Sequence, residues 1–123
     1  MIIVLSGNGI KVQAAPAPKL TSVKITDVTV DENNKVYIEV TEMGTSKNRL
    51  VYCNNELLKE NIYETVPFDV NGDRIIDGYR RYYYTRYMLS DIYSGLKFRV
   101  TAKYTNAMSP WNTLTATQIF TFQ

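Results

Sequence analysis

The stretch IYSGLKFRVTAKY, residues 92–104, decides the fold class. From position 96 onward, apolar side chains occupy every second position and polar side chains occupy the positions between them. The apolar set is Leu96, Phe98, Val100, Ala102 and Tyr104, and the polar set is Lys97, Arg99, Thr101 and Lys103. A period of two predicts a β-strand with one face in a core and one face in water. Ser94-Gly95, directly before this run, predicts a turn into the strand.

The rest of the chain consists of similar short runs separated by turn residues. Strands are predicted over residues 23–30, 36–40, 50–53, 63–70, 74–77, 79–88 and 113–122. Turns or loops are predicted at residues 31–35, 44–48, 54–55 and 105–110, and residues 56–61 are either one helical turn or an irregular crossing. A change of phase near Asp27 predicts a β-bulge, and Asn71-Gly72 predicts a two-residue hairpin. Because no amphipathic helix of ordinary length is found, the pattern predicts an all-β, antiparallel sandwich.

The composition fits one globular domain and argues against several functions. The chain has 123 residues, of which 45% are hydrophobic, so it can bury a core without disulfides, and a single cysteine cannot form an internal one. Without histidine, it lacks the commonest general base and the commonest zinc ligand. A net charge of +2 is too small to indicate nucleic acid or an anionic membrane as the partner. The 10 tyrosines favour β-strands and protein-binding surfaces.

Residues 1–18 are predicted to form an arm beside a domain of residues 19–123. Two strand-like pieces, residues 2–5 and 10–13, are joined by Ser-Gly-Asn-Gly, and the Ala/Pro segment of residues 14–18 is typical of an extended spacer. An isolated hairpin is marginal in water. We therefore expect the apolar arm residues to lie against their own sheet, a second copy or another protein: Ile2, Ile3, Val4, Leu5, Ile10 and Val12.

The first residues do not match a targeting segment. They lack the basic start and the long apolar run of a signal peptide. No stretch of the sequence approaches the ~20 apolar residues of a membrane helix. We therefore expect a soluble chain without an export signal.

The pattern I-x-S-G-x-x-F-x-V-x-A of residues 92–102, followed by NAMSPW at residues 106–111 and a last strand, resembles the C-terminal half of a fibronectin type III or related immunoglobulin-like domain. In that family a Leu-x-Pro-Gly turn leads into a Tyr-x-Val-x-Val strand and a loop that contains Ser-Pro. The resemblance extends over residues 19–123 and implies an Ig-like, fibronectin III-like antiparallel β-sandwich. Phe98 stands where the family has its corner tyrosine, so the hydroxyl that bonds back to the backbone is absent. The second strand also lacks the tryptophan that often anchors these cores.

Residues 69–77 resemble the start of a calcium-binding loop. Oxygen-bearing side chains stand at positions 1, 3, 5 and 9 of an EF-hand or dockerin-type pattern, namely Asp69, Asn71, Asp73 and Asp77. Position 6, normally glycine, is Arg74, and position 12, normally a bidentate acid, is Arg80. Two interpretations stay open, a weak surface Ca²⁺ site and a hairpin with solvated carboxylates. The partial match favours the hairpin.

The run RRYYYTRY, residues 80–87, concentrates arginine and tyrosine. As a strand it places Arg80, Tyr82, Tyr84 and Arg86 on one face, and Arg81, Tyr83, Thr85 and Tyr87 on the other. Interleaved rings and guanidinium groups can stack on bases or sugars, but they more often form protein–protein interfaces or cover the sheet's own surface. The small net charge disfavours nucleic acid. The candidate partner-binding face is therefore Arg80, Tyr82, Tyr84 and Arg86.

No residue set predicts an active site. Cys53 has no histidine to activate it and is predicted to be a buried small hydrophobe, and the acids are scattered. Trp111, between a loop and a strand, is predicted to cap one end of the core. We therefore expect a non-enzymatic structural or interaction protein without a cofactor.

The architecture and composition are similar to the small Ig-like accessory proteins that decorate the heads or tails of tailed bacteriophages. That resemblance implies a location in the virion and a protein partner in the capsid or tail, with no membrane partner, and it leaves self-association open. The alternative is a carbohydrate- or ligand-binding module of a surface or secreted protein. It would use Tyr82, Tyr84 and Trp111, with Ca²⁺ at residues 69–77.

Overall fold

The computed structural model describes residues 18–54, 56–58, 62–85 and 94–122. This part of the chain forms eight strands: β1 (Ser22–Val30), β2 (Val36–Met43), β3 (Ser46–Cys53), β4 (Glu56–Leu57), β5 (Ile62–Phe68), β6 (Gly78–Tyr84), β7 (Lys97–Asn106) and β8 (Thr113–Thr121). The described residues contain no helix that is long and apolar enough to cross a membrane. The all-β class predicted from the sequence is confirmed.

The strands form two antiparallel sheets that enclose a common core. The first sheet has the order β1-β2-β6-β5, and the second has the order β4-β3-β7-β8, in which β4 is two residues long. With the letters used for immunoglobulin domains, these orders are A-B-E-D and C′-C-F-G. This is the arrangement of a constant-type immunoglobulin sandwich with a C′ strand added. The predicted antiparallel sandwich is therefore confirmed by the order of its strands.

The core lies between the sheets and is built mainly from alternate residues of the central strands. Its most deeply buried apolar side chains are Val36, Ile38, Val40, Val51, Leu58, Tyr83, Val100, Ala102 and Tyr104. In β2 and β7 burial alternates along the whole strand, as the period of two predicts. Phe98 packs against Phe120 of β8, with ring centroids 5.9 Å apart. Burial of each large apolar side chain contributes roughly 1.5–3 kcal/mol, so the alternation determines which faces meet.

The predicted bulge in the first strand is confirmed. The register between β1 and β2 shifts between Ile25 and Asp27. Because one extra residue is absorbed there, Ile25 and Val28 both pack against the core although they are three positions apart. Thr26, directly after Ile25, is exposed, and its hydroxyl lies 2.7 Å from Oε1 of Glu39.

Three predicted connections differ from the structure. The break predicted at residues 44–48 is shorter, because β3 already begins at Ser46 and pairs with the end of β7. The loop predicted from residue 105 starts later, since β7 continues to Asn106. In the segment 56–61 the first two residues form β4, which pairs with Tyr52 and Cys53; residues 59–61 lie outside the described residues.

The two-residue turn predicted at Asn71-Gly72 is wrong, although β5 and β6 do pair as an antiparallel hairpin. β5 ends at Phe68, β6 begins at Gly78, and residues 69–77 form a loop in which the predicted strand 74–77 is absent. Phe68 is paired with Gly78, and the N–H of Asp77 donates to the carbonyl of Phe68 at 2.9 Å. The physical reason is that carboxylates in the loop accept hydrogen bonds from the loop's own backbone N–H groups. With a tight turn, the same N–H groups would be available for pairing between the strands.

Candidate functional site

Strand β6 divides its arginines and tyrosines between the two faces of the first sheet, as predicted. Arg81, Tyr83 and Thr85 are buried, whereas the candidate partner-binding residues Arg80, Tyr82 and Tyr84 are half-buried on the outer face. The remaining predicted partner-binding residues lie outside the described residues, namely Arg86 and the arm residues Ile2, Ile3, Val4, Leu5, Ile10 and Val12. We call Arg80, Tyr82 and Tyr84 the Tyr/Arg face.

At one end of the Tyr/Arg face, aromatic rings and a lysine pack together. The rings of Tyr84 and Tyr37 have centroids 6.4 Å apart at an interplanar angle of 36°. The ammonium of Lys35 lies 4.9 Å from the centroid of the Tyr84 ring, and the Tyr37 hydroxyl donates to Oδ2 of Asp31 at 3.2 Å. Each ring is therefore held by a neighbour on the adjacent strand or turn.

The other two residues of the Tyr/Arg face are held in the same way. The guanidinium of Arg80 lies 4.6 Å from the centroid of the Phe68 ring on β5. A hydrogen bond to the Glu39 carboxylate raises the pKa of the Tyr82 hydroxyl above its ordinary value, and burial and the Glu39 charge add to it. The Tyr/Arg face thus covers part of its own sheet and presents an ordered, half-buried aromatic and cationic surface.

A buried ion pair occupies the inner side of the same sheet, and the sequence reasoning missed it. Nε of Arg81 donates to Oε1 of Glu42 at 2.7 Å. The other carboxylate oxygen of Glu42 accepts the N–H of Ser46 at 2.7 Å, and the Ser46 hydroxyl lies 2.7 Å from Oε1. The sequence did indicate a buried acid, because Glu42 follows Val36, Ile38 and Val40 at the same alternate spacing and therefore points into the core. An acid at such a position needs a buried cation as its partner.

Two tyrosine hydroxyls meet inside the sandwich. The hydroxyl oxygens of Tyr83 and Tyr104 lie 2.7 Å apart, which joins β6 of the first sheet to β7 of the second. Burial raises the pKa of Tyr83 to about 12, although the hydrogen bond to Tyr104 acts in the opposite direction. Burial also raises the pKa of Tyr104, and the nearby Tyr83 adds to that effect. Both hydroxyls are therefore protonated donors and acceptors at neutral pH.

The acidic residues of the predicted calcium loop are brought together by the chain. One oxygen from each of Asp69, Asp73 and Asp77 lies within 4.8 Å of the others. Oδ1 of Asp69 accepts the N–H groups of Asn71 and Gly72, and Oδ2 accepts the N–H of Arg74 at 2.6 Å. These bonds order the loop around the Asp69 carboxylate.

The remaining loop acceptors are also bound to backbone amides. Asn71 accepts the N–H of Asp73, Asp73 accepts the N–H of Ile75, and Asp77 accepts the N–H of Val70. Arg74 has a φ of 69°, so it takes the left-handed conformation that glycine favours at position 6 of calcium loops. The calcium site itself stays a prediction, since these contacts equally describe an ordered loop without an ion.

The aromatic residues of the predicted sugar-binding surface do not share one sheet. Tyr82 and Tyr84 belong to the first sheet, whereas Trp111 lies in the connection between β7 and β8 of the second. Trp111 is 56% exposed and does not cap the core as predicted. The Lys47 ammonium lies 3.8 Å from the centroid of its ring. Cys53, in contrast, is buried in the core, as predicted.

Comparison with known proteins identifies the family of the chain. No curated protein and no solved structure matches this chain. The sequence profile of a domain of unknown function, DUF4879, matches residues 31–120. The matched segment runs from the turn after β1 to the penultimate residue of β8, so it includes β6, the acidic loop and the buried pairs described above. The chain belongs to the DUF4879 family.

Proposed function

We propose that this protein is a non-enzymatic structural protein that docks on a larger protein assembly through its Tyr/Arg face and its N-terminal arm. The observation that carries the proposal is the packing of aromatic and cationic side chains on the outer face of the first sheet. There Tyr84 contacts Tyr37 and Lys35, and Arg80 contacts Phe68. Tyr84 and Arg80 lie on the same strand, on either side of Tyr82.

The chemistry of this face suits a protein partner. Tyrosine and arginine are enriched in protein–protein interfaces and dominate their energetic centres. Because each ring or guanidinium is already held by a neighbour, binding would immobilise few additional rotamers, and ordering a free side chain costs roughly 0.5–1.5 kcal/mol. The face also carries acceptors, since Glu39 lies between Thr26 and Tyr82. A partner could therefore make hydrogen bonds as well as apolar contacts.

The kind of assembly is proposed from the resemblance of the sequence to the Ig-like accessory proteins of tailed bacteriophages. In that setting the arm residues, from Ile2 to Val12, bind the capsid or tail, and the sandwich forms the outward body. The arm supplies apolar side chains that need a surface, and the Tyr/Arg face supplies a second contact. Two linked contacts raise the overall affinity above that of either one.

The test is co-sedimentation with native assemblies. Tagged wild-type protein, a Tyr82→Ala/Tyr84→Ala variant and a chain without residues 1–18 are produced in the natural host, and lysates are separated on density gradients. We expect the wild type in fast-sedimenting fractions and both variants at the top. Tyr52→Ala is the matched control, because Tyr52 lies on the second sheet, half-buried beside Lys103. Sedimentation of the wild type as an isolated protein, or unchanged sedimentation of the double variant, would overturn the proposal.

A further inference from the structure

The two sheets end in four edge strands within the described part of the chain, and three of these edges are protected. Edge strands present unpaired N–H and C=O groups to other chains, and natural proteins protect them with bulges, charges, proline or short length. β1 has a bulge and carries Lys24 and Asp27. β5 has an irregularity between Ile62 and Glu64 and contains Pro67. β4 is two residues long.

The fourth edge, β8, has none of these features. Its nine residues, TLTATQIFT, include no charged residue and no proline. It pairs with β7 without a register shift, from Thr113 opposite Thr105 to Thr121 opposite Lys97. Within the described residues, no strand is paired with its other side. Thr115 and Thr117 are exposed, and the outward Ile119 is 58% exposed. An extended strand of this length offers an edge of about 30 Å.

We propose that β8 pairs antiparallel with β8 of a second copy of this chain, around a two-fold axis perpendicular to the sheet. A strand paired antiparallel with itself satisfies that symmetry, because a residue i that contacts residue j of the second copy is matched by residue j contacting residue i of the second copy. Threonine and isoleucine suit this role, since β-branched cross-strand pairs stabilise a sheet. The dimer joins the second sheets of two molecules into one continuous sheet. This inference concerns a surface other than the Tyr/Arg face and does not depend on the proposed function.

The charge distribution favours a second copy as the occupant. β8 carries no charge, so self-pairing places no like charges opposite each other. The nearest cations on the outer face, Lys97, Arg99 and Lys103, stand on β7. In the dimer the two β7 strands are separated by three strand spacings, or about 14 Å. That distance exceeds the Debye length of about 8 Å at physiological ionic strength, so the two cationic rows repel each other weakly.

The dimer is expected to be weak and concentration-dependent. One pair of edge strands buries less than the ~800 Å² per partner of a standard interface, so most of its affinity comes from backbone hydrogen bonds. The first experiment is sedimentation equilibrium of the full-length protein over a wide range of concentrations. We expect a monomer–dimer equilibrium for the wild type, and a Kd at least ~10-fold higher for Thr117→Lys, because the variant brings two like charges to the centre of an otherwise uncharged edge.

The matched control is Thr101→Lys. Thr101 is the register partner of Thr117 on β7, so the new lysine lies on the same outer face but one strand away from the edge. We expect it to leave the Kd within about twofold of the wild type. A wild type that stays monomeric at all concentrations, or a Thr117→Lys variant that dimerises normally, would overturn the proposal.

Disulfide trapping provides an independent test, which reports the register between the two β8 strands. Single cysteines are placed at positions 115, 116, 117, 118 and 119, and each variant is oxidised mildly. In a two-fold antiparallel pair only the residue at the axis meets its own copy, at a Cα separation that a disulfide can span. We expect one position to cross-link at least ~10-fold faster than its neighbours. The native Cys53 is 3% exposed and gives little background. Equal or absent cross-linking at all five positions contradicts the dimer.

Discussion

The Arg81 guanidinium and the Glu42 carboxylate form an ion pair inside the sandwich, with Nε and Oε1 2.7 Å apart and both side chains almost fully buried. Arg81 also contacts the ring of Tyr79, and its Nη1 lies 3.4 Å from the hydroxyl of Thr65. Removing one member of a buried pair leaves an uncompensated charge, which is more damaging than the loss of an exposed pair.

We expect Arg81→Met to lower the free energy of unfolding by about 3–5 kcal/mol, because Glu42 would keep only its bonds to Ser46. The neighbouring Arg80→Met is the control. Arg80 is half-buried on the outer face and contacts Phe68, so its loss is expected to cost about 1 kcal/mol or less. Urea unfolding followed by circular dichroism measures both values. Equal losses for the two variants would show that the buried pair has no special role.

The Tyr83–Tyr104 contact predicts a non-additive pair of substitutions. Either Tyr83→Phe or Tyr104→Phe leaves one buried hydroxyl without its partner, at a cost of about 1–3 kcal/mol. The double variant removes both hydroxyls while keeping the shapes of the rings, so we expect it to be less destabilised than the sum of the two single variants. A double-mutant cycle from urea unfolding measures this coupling. Strictly additive losses would contradict a direct hydrogen bond.

The same pair predicts a loss of stability at high pH. Burial raises the pKa of Tyr83 to about 12 in the folded state, whereas the unfolded value is about 10. The unfolded state therefore binds fewer protons above pH 10, so stability is full below about pH 10 and falls as the pH rises toward 12, by roughly 3 kcal/mol for this group. We expect Tyr83→Phe to flatten the decline. Unfolding free energies measured across this range test it, and identical slopes for wild type and variant would contradict it.

The Asp69 carboxylate predicts a local change in the acidic loop. Desolvation acts to raise its pKa, but the amides of Arg74, Asn71 and Gly72 together bring the pKa below the ordinary aspartate value. We expect Asp69→Ala to speed hydrogen exchange at those three amides, as measured by NMR. Asp73→Ala is the control, since Asp73 accepts the N–H of Ile75 and its loss should affect that amide most.

The pH dependence of this effect follows from the lowered pKa. The contribution of Asp69 is present above the unfolded aspartate pKa of about 3.9 and is lost as the pH falls through the lower folded value. The exchange rates of wild type and Asp69→Ala should therefore converge in acid, after correction for the intrinsic pH dependence. A difference that persists unchanged into strong acid would show that the carboxylate charge does not order the loop.

The strands could be predicted from the sequence wherever every second side chain is buried, because this alternation can be read from neighbouring residues alone. β2, β7 and the bulge near Asp27 follow from it directly. The prediction of a tight turn at Asn71-Gly72 failed, because turn propensity describes the backbone of the turn and not the side chains that bind it. Here the Asp69 side chain binds the amides of Asn71 and Gly72, and such side-chain bonds compete with the tight turn that the dipeptide alone favours.

The candidate sites were predictable only in part, since the missing information concerns residues far apart in the chain. The alternation of β6 correctly separated Arg80 from Arg81. It could not identify Glu42 as the partner of Arg81, 39 positions away, or Tyr104 as the partner of Tyr83. Those contacts depend on which strands become neighbours and on how the two sheets face each other, which alternation within one strand leaves undetermined.

Two glycines with positive φ predict different responses to the same substitution. Gly44, with φ of 88°, lies in the connection between β2 and β3, and a Cβ there would meet the carbonyl oxygen of Lys19 and lie 2.7 Å from Cα of Leu20. At Gly72, with φ of 74°, a Cβ would have no atom within 4 Å beyond those of its chain neighbours. Both alanine variants carry the cost of a left-handed residue, roughly 1–2 kcal/mol. Only Gly44→Ala must also displace backbone.

We therefore expect Gly72→Ala to lower the free energy of unfolding by about 1 kcal/mol, because alanine's smaller unfolded-state entropy offsets part of the strain. Gly44→Ala should lower it by more than about 3 kcal/mol, because the clashing segment is held in place. Leu20 is 5% exposed in the core, and the N–H of Thr21 donates to Met43 at 2.9 Å. Urea unfolding of the two variants side by side gives the difference. Similar losses of unfolding free energy in the two variants would mean that the segment before β1 can move away from position 44 at little cost. Its contacts with Gly44 would then contribute little to the stability of the fold.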